Sequence, residues 1–134
     1  MTRAWHLSSL ETLSLILHLG CMQPFKAIKM KEISVQELKQ KIDNKEDFQL
    51  IDVRETFEYE TSNLDGENIP LGGILIEVDK ISRDKPVIMQ CRSGKRSAAA
   101  VMQLEQMHGF TNLYNLQGGI LAWQQEFDPS MPVY

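Results

Sequence analysis

Apolar and polar residues change period several times along the chain, and each change marks an element. Ser34 and Glu37 have the S-x-x-E spacing of a capping box, and Val35, Leu38 and Ile42 behind them share one helical face. FQLIDV (48–53) is a nearly continuous apolar run and reads as a buried strand. TFEYE then predicts a helical turn, NLDGE a loop, and ENIP a short strand ended by Pro70. Ile74, Leu75, Val78 and Ile81 fall on one stripe of a helix over 74–81. SRDKP is a turn, and VIMQ (87–90) is a second short buried strand. Residues 96–108 predict a helix that starts with small residues and stops before Gly109. NLYNL predicts another strand, and GGILAWQQEF a last helix.

Strands alternating with helices predict an α/β fold, with a mostly parallel sheet covered by helices on both faces. In such sheets, sites form at the carboxyl ends of the strands. Cys91 and Asp52 both fall at such ends.

Length and composition fit a single ordinary globular domain. The net charge of −4 argues against a general affinity for nucleic acid. Against that background, Arg92, Lys95 and Arg96 form a local cationic cluster just after Cys91. The two cysteines, Cys21 and Cys91, do not form a disulfide framework and indicate a reducing, cytoplasmic setting. His6, His18 and His108 are scattered, with no zinc-ligand spacing. The chain has no internal repeat, low-complexity tract or nucleotide-binding glycine motif.

The orderly pattern begins at Met30, which divides the chain into an extension (1–29) and a domain (30–134). The extension has an apolar stretch from Leu13 to Leu19, too short to span a bilayer. LHLGC carries a hint of a lipoprotein cleavage site at Cys21, but Glu11 and His18 interrupt the apolar region. A signal, an accessory helix and an upstream extension all remain open readings of 1–29, and no membrane association is expected.

The segment CRSGKRS (91–97) carries the candidate chemistry. A strand-to-helix loop can turn its backbone N–H groups toward one point, to which the next helix directs its positive end. A cysteine there should form a thiolate more readily than a free one. Gly94 lets the loop turn, Ser93 and Ser97 can donate hydroxyl hydrogen bonds, and Arg92, Lys95 and Arg96 would attract a small dianion. The competing reading is a buried structural cysteine beside a solvated basic helix start. At the end of the preceding strand, Asp52 could accept hydrogen bonds from loop N–H groups, and Arg54 could pair with Glu55, Glu58 or Glu60. Trp123 and Phe127 read as core, Ala98, Ala99 and Ala100 as close helix–sheet packing, Gly118 and Gly119 as a tight turn, and His108 as a helix-end residue.

Four segments in order resemble those of the single-domain rhodanese family: IDVRE (51–55), LDGENIPL (64–71), CRSGKRS (91–97) and LQGGILAW (116–123) followed by PV. The resemblance spans about Ile33 to Val133. Asn63 stands where the family often has histidine, and Glu67 where alanine is usual, both in a structural turn. The resemblance implies a rhodanese-like fold and a sulfurtransferase. Cys91 would take sulfur from a thiosulfate-like donor as a persulfide and pass it to a thiol, cyanide or a protein acceptor. Arg92, Ser93, Gly94, Lys95, Arg96 and Ser97 would form the binding loop, braced by Asp52 and Arg54, with no metal or organic cofactor. Rhodanese-like phosphatases and arsenate reductases carry a longer loop between cysteine and arginine, whereas here only four residues separate Cys91 from Arg96. Non-catalytic rhodanese-like binding modules typically lack the cysteine that this chain has.

Overall fold

The computed structural model describes residues 29–134. The extension, including Cys21 and the apolar stretch 13–19, lies outside the described residues. Five strands form one sheet: β1 (Glu32–Ile33), β2 (Gln49–Asp52), β3 (Glu67–Asn68), β4 (Val87–Gln90) and β5 (Leu113–Leu116). Their spatial order is β1-β5-β4-β2-β3, and every neighbouring pair is parallel. Among the described residues, four α-helices accompany them: α1 (Val35–Asp43), α2 (Thr56–Thr61), α3 (Lys95–His108) and α4 (Gly119–Phe127). The predicted α/β class, with a covered parallel sheet, is therefore observed.

Side-chain alternation along the strands divides the core in two. Val87, Met89 and Cys91 pack with Ala100, Val101 and Leu104 of α3, whereas Ile88 packs with Val35 and Leu38 of α1. Ala122, Trp123 and Phe127 of α4 close the second cluster from its margin and are only half-buried, so Trp123 and Phe127 flank the core rather than fill it. Their rings lie 4.8 Å apart in a tilted contact. Among the described residues, no helix is long and apolar enough to cross a membrane.

The capping box at Ser34 forms as expected, with the Glu37 N–H donating to Ser34 Oγ at 3.1 Å. Such a cap stabilises a helix start by about 1 kcal/mol. Helix α3 ends at Gly109, which has φ +67°, and the exposed Arg83 donates to the His108 carbonyl at 2.8 Å. The helix predicted over 74–81 is absent. Two single 3₁₀ turns, Leu71–Gly73 and Val78–Lys80, stand in its place. Ile74 and Ile81 are nevertheless buried, and Leu75 and Val78 pack beside them. The stripe found the core without enough consecutive turns to sustain an α-helix, and neither 3₁₀ turn has a side-chain cap. Strand β1 was not expected. It is two residues long, too short to show a period.

Among the described residues, the sheet and both core clusters lie within residues 30–134, and we propose that this segment is a self-sufficient domain. On that proposal, a chain beginning at Met30 is expected to unfold in one cooperative transition with undiminished stability. Loss of that transition in denaturant titrations would show that residues 1–29 belong to the domain.

Candidate active site

Strand β4 ends at Gln90, and the next residue, Cys91, keeps the alternation of Val87 and Met89. Its side chain therefore turns toward the start of α3, where it is 1% exposed. The Gly94 N–H donates to Cys91 Sγ at 3.1 Å, and Ser97 Oγ lies 3.3 Å from the same sulfur. Gly94 adopts φ +102° at the N-cap of α3, a conformation that side-chain-bearing residues rarely adopt. That left-handed step brings its N–H over the sulfur. It is the physical reason for glycine here, since an added Cβ would meet its nearest neighbours at 3.4 Å.

A second helix start holds the loop from outside. The Ile120 N–H donates to the Cys91 carbonyl at 2.9 Å, and the Leu121 N–H to the Arg92 carbonyl at 3.1 Å. These are two of the otherwise unpaired amides in the first turn of α4. Gly119 makes the approach possible. It has φ +59°, and a Cβ there would lie 2.4 Å from the Cys91 carbonyl oxygen.

The cations after Cys91 do not share one role. Arg92 is exposed, and its Nε donates to the main-chain oxygen of Tyr134. Ser93 and Lys95 are exposed, and Ser93 contributes no hydroxyl to the sulfur. Arg96 forms a forked pair with Glu58 of α2, Nη1 to Oε2 at 2.7 Å and Nη2 to Oε1 at 2.9 Å. Hydrogen bonding to Arg96 lowers the Glu58 pKa from 4.5 to about 2, outweighing the opposing effect of burial. The same pair raises the pKa of Arg96. Glu58 also accepts from the Glu55 N–H at 2.9 Å, closing the capping box of α2.

Two expectations at the end of β2 are corrected. Asp52 accepts from Arg54 and not from the loop. Arg54 donates to Asp52 through Nη2 at 2.7 Å and Nε at 3.0 Å, and both side chains are buried. Arg54 pairs with none of the carboxylates of Glu55, Glu58 or Glu60; its Nη2 also donates to the Ser62 carbonyl at 2.8 Å. The reason is reach. Asp52 alternates with Ile51 and Val53, which pack in the cluster containing Cys91, so its own side chain leaves by the other face.

The fold brings here two residues that the sequence expectation did not place at the loop. Glu58, named there only as a possible partner of Arg54, is one. Asn115 of β5 is the other. It is buried, its Oδ1 lies 2.5 Å from Ser97 Oγ, and its Nδ2 donates to the Gly94 carbonyl at 3.2 Å. A signal for Asn115 existed, because it shares the parity of Leu113, which packs in the cluster containing Cys91.

Comparison with known proteins agrees with this geometry. The model of the Rhodanese-like domain family matches residues 34–126. A protein of Allochromatium vinosum named "Sulfurtransferase" is 36% identical over 95 residues, covering 70% of this chain and 88% of that protein. The "Probable adenylyltransferase/sulfurtransferase MoeZ" of Mycobacterium tuberculosis is 31% identical over 111 residues, and this chain spans only 28% of its length. The crystal structure of a rhodanese-related protein from Thermoplasma volcanium superposes with a TM-score of 0.62 at 32% identity, covering 78% of this chain and 97% of that one. This chain belongs to the rhodanese-like family.

Two predictions follow from the contacts around the loop. Gly119→Ala forces a Cβ against two carbonyls at positive φ and is expected to destabilise the domain by about 2–4 kcal/mol, measured by urea denaturation. A change within experimental error would show that the loop and α4 can separate freely. Glu58 has a lowered pKa in the folded state, so its ionised form stabilises the fold above pH 4.5, and this contribution is lost as pH falls toward about 2. The stability gap between the native chain and Glu58→Gln should therefore be widest above pH 4.5 and narrow through that window. A gap that stays constant with pH would contradict the assigned pair.

Proposed function

We propose that the chain is a sulfurtransferase that moves sulfane sulfur from a small anionic donor such as thiosulfate to a nucleophilic acceptor through a persulfide on Cys91. One observation carries this reading: a buried sulfur at the end of β4, met by the Gly94 N–H at 3.1 Å. Membership of the rhodanese-like family and the sulfurtransferase names of relatives support it.

In the first displacement, the Cys91 thiolate attacks the outer sulfur of thiosulfate. A new S–S bond forms, the donor's own S–S bond breaks, and sulfite leaves with that electron pair. In the second, a thiolate, cyanide or a protein nucleophile attacks the terminal sulfur, and the Cys91 thiolate departs. Division into two displacements makes each easier than direct transfer. The Gly94 N–H is fixed by the backbone, so it can serve the thiolate and then the persulfide without reorganising. Arg92 and Lys95 stand exposed beside the loop and attract the donor's charge. Arg96, aimed by its fork to Glu58, offers its remaining N–H groups to a sulfur oxyanion. The buried Asp52–Arg54 pair braces the end of β2 and the chain leading into α2, which carries Glu58.

The test is intact mass after incubation with thiosulfate. The native chain is expected to gain one sulfur, removable by cyanide, and Cys91→Ser to gain none. An adduct that persists in Cys91→Ser, or none in the native chain, overturns the assignment. An aryl phosphate assayed in parallel should give negligible Cys91-dependent phosphate release; release faster than sulfur transfer would make the chain a phosphatase.

A further inference from the structure

Asn115 is a buried amide that no step of the proposed chemistry uses, yet it is fastened to both groups that face the Cys91 sulfur. Its Nδ2 lies 3.2 Å from the Gly94 carbonyl and 3.4 Å from Glu32 Oε2. A carbonyl and a carboxylate can only accept, so the amide nitrogen must stand on that side and the oxygen on the other. Oδ1 therefore faces Ser97 Oγ at 2.5 Å and must accept from it. A hydroxyl has one hydrogen. Once that hydrogen is given to Asn115, Ser97 presents Cys91 with a lone pair at 3.3 Å. A lone pair suits an S–H group and repels a sulfur anion.

On the sulfur-transfer reading above, we propose that Asn115 is a positioning residue that governs the charge on the Cys91 sulfur by competing with it for the Ser97 hydroxyl hydrogen. While the thiol is neutral, the hydrogen rests on Asn115 Oδ1, and the S–H donates to Ser97 Oγ. When the proton leaves, or a persulfide anion forms, the hydroxyl turns to the sulfur. Asn115 Oδ1 then loses its donor in a buried place, and an unmatched buried acceptor is costly. Asn115 thus opposes the anion through Ser97, while its grip on the Gly94 carbonyl steadies the N–H that favours the anion.

The charges around the sulfur come from several elements. They are Arg92, Lys95 and Arg96 on the loop and α3, Asp52 and Arg54 at the end of β2, Glu58 on α2 and Glu32 on β1. Asn115→Ala leaves the charge of each unaltered but releases Glu32 Oε2 and the Gly94 carbonyl, so the hydroxyl's share is read as the difference between the shifts with and without Ser97.

The experiment measures the pH dependence of Cys91 alkylation by iodoacetamide, read by peptide mass in the full chain. Asn115→Ala is expected to move the alkylation midpoint down by about half to one pH unit, because Ser97 can then donate freely to the anion. The same change made in a Ser97→Ala background should give no downward move. A midpoint that stays or rises in Asn115→Ala, or that falls equally without Ser97, overturns the proposal. If Asn115→Ala does not fold, the native chain decides. The side-chain NH₂ resonances of Asn115 should then move with the alkylation midpoint, and resonances that ignore it overturn the proposal. Neither readout uses a sulfur donor, so failure here is distinct from failure of the persulfide assay.

Discussion

The contact between the loop after Cys91 and the first turn of α4 is the constraint on which the candidate site depends. A helix start has amides without partners, and a loop that points its N–H groups inward has carbonyls without partners. Here each solves the other's problem: Ile120 and Leu121 donate to the carbonyls of Cys91 and Arg92. A trans peptide carries its C=O and N–H on opposite sides, so fixing those two carbonyls turns the next two N–H groups away from α4. The chain then passes through the left-handed Gly94, whose N–H meets the sulfur, and α3 begins. Gly119 matters as much as Gly94, though it lies 28 residues after Cys91 in the chain, because no Cβ fits between α4 and the loop.

A second chain of contacts fixes the side chains around that backbone. Asp52 holds Arg54, Arg54 holds the main chain of α2 and its exit at Ser62, and Glu58 of α2 holds Arg96. Both Asp52 and Arg54 are buried, where an unpaired charge would be strongly destabilising. Arg54 avoids this by spreading its donors over a carboxylate and two carbonyls. The forked Glu58–Arg96 pair is more open on the arginine side, with Arg96 36% exposed and Glu58 7%. Solvent screening weakens the pair there, but geometry still sets the plane of the guanidinium.

How much of this was legible in the sequence depended on the range of the interaction. Strands β2 and β4 were visible because a parallel strand covered on both faces reads as a nearly continuous apolar run. Helix α3 and the loop before it were visible because glycine, small residues and cations change abruptly after Cys91. Residues 74–81 misled because burial at 74, 75, 78 and 81 has a helical spacing, although the chain reaches the core there through turns. The partner of Asp52 was misassigned because Asp52 was given to the loop N–H groups and Arg54 to the acidic residues after it, whereas two residues apart on extended backbone share a face and pair with each other. Strand parity put Asn115 on the face of Leu113, but pairing Glu58 with Arg96 and Asn115 with Ser97 required knowing that α2 abuts α3 and that β5 lies beside β4.

The burial of the sulfur also shapes how such a site would hand over its cargo. Cys91 is 1% exposed, so the thiol itself offers little surface to a bulky reagent. On the sulfur-transfer reading, a persulfide extends the side chain by one S–S bond, about 2 Å. The atom an acceptor must attack is then the outer one, farther from β4 than the thiol it rides on. Burial and reactivity would thereby be separated: the fold shields the Cys91 sulfur, while the atom to be transferred would stand one bond beyond it. On the same reading, the exposed Arg92 and Lys95, one and four residues after Cys91, would favour an anionic donor on arrival and an anionic thiolate acceptor afterwards. Under the proposed mechanism the same positive field would suit both displacements, because donor and acceptor are both anions.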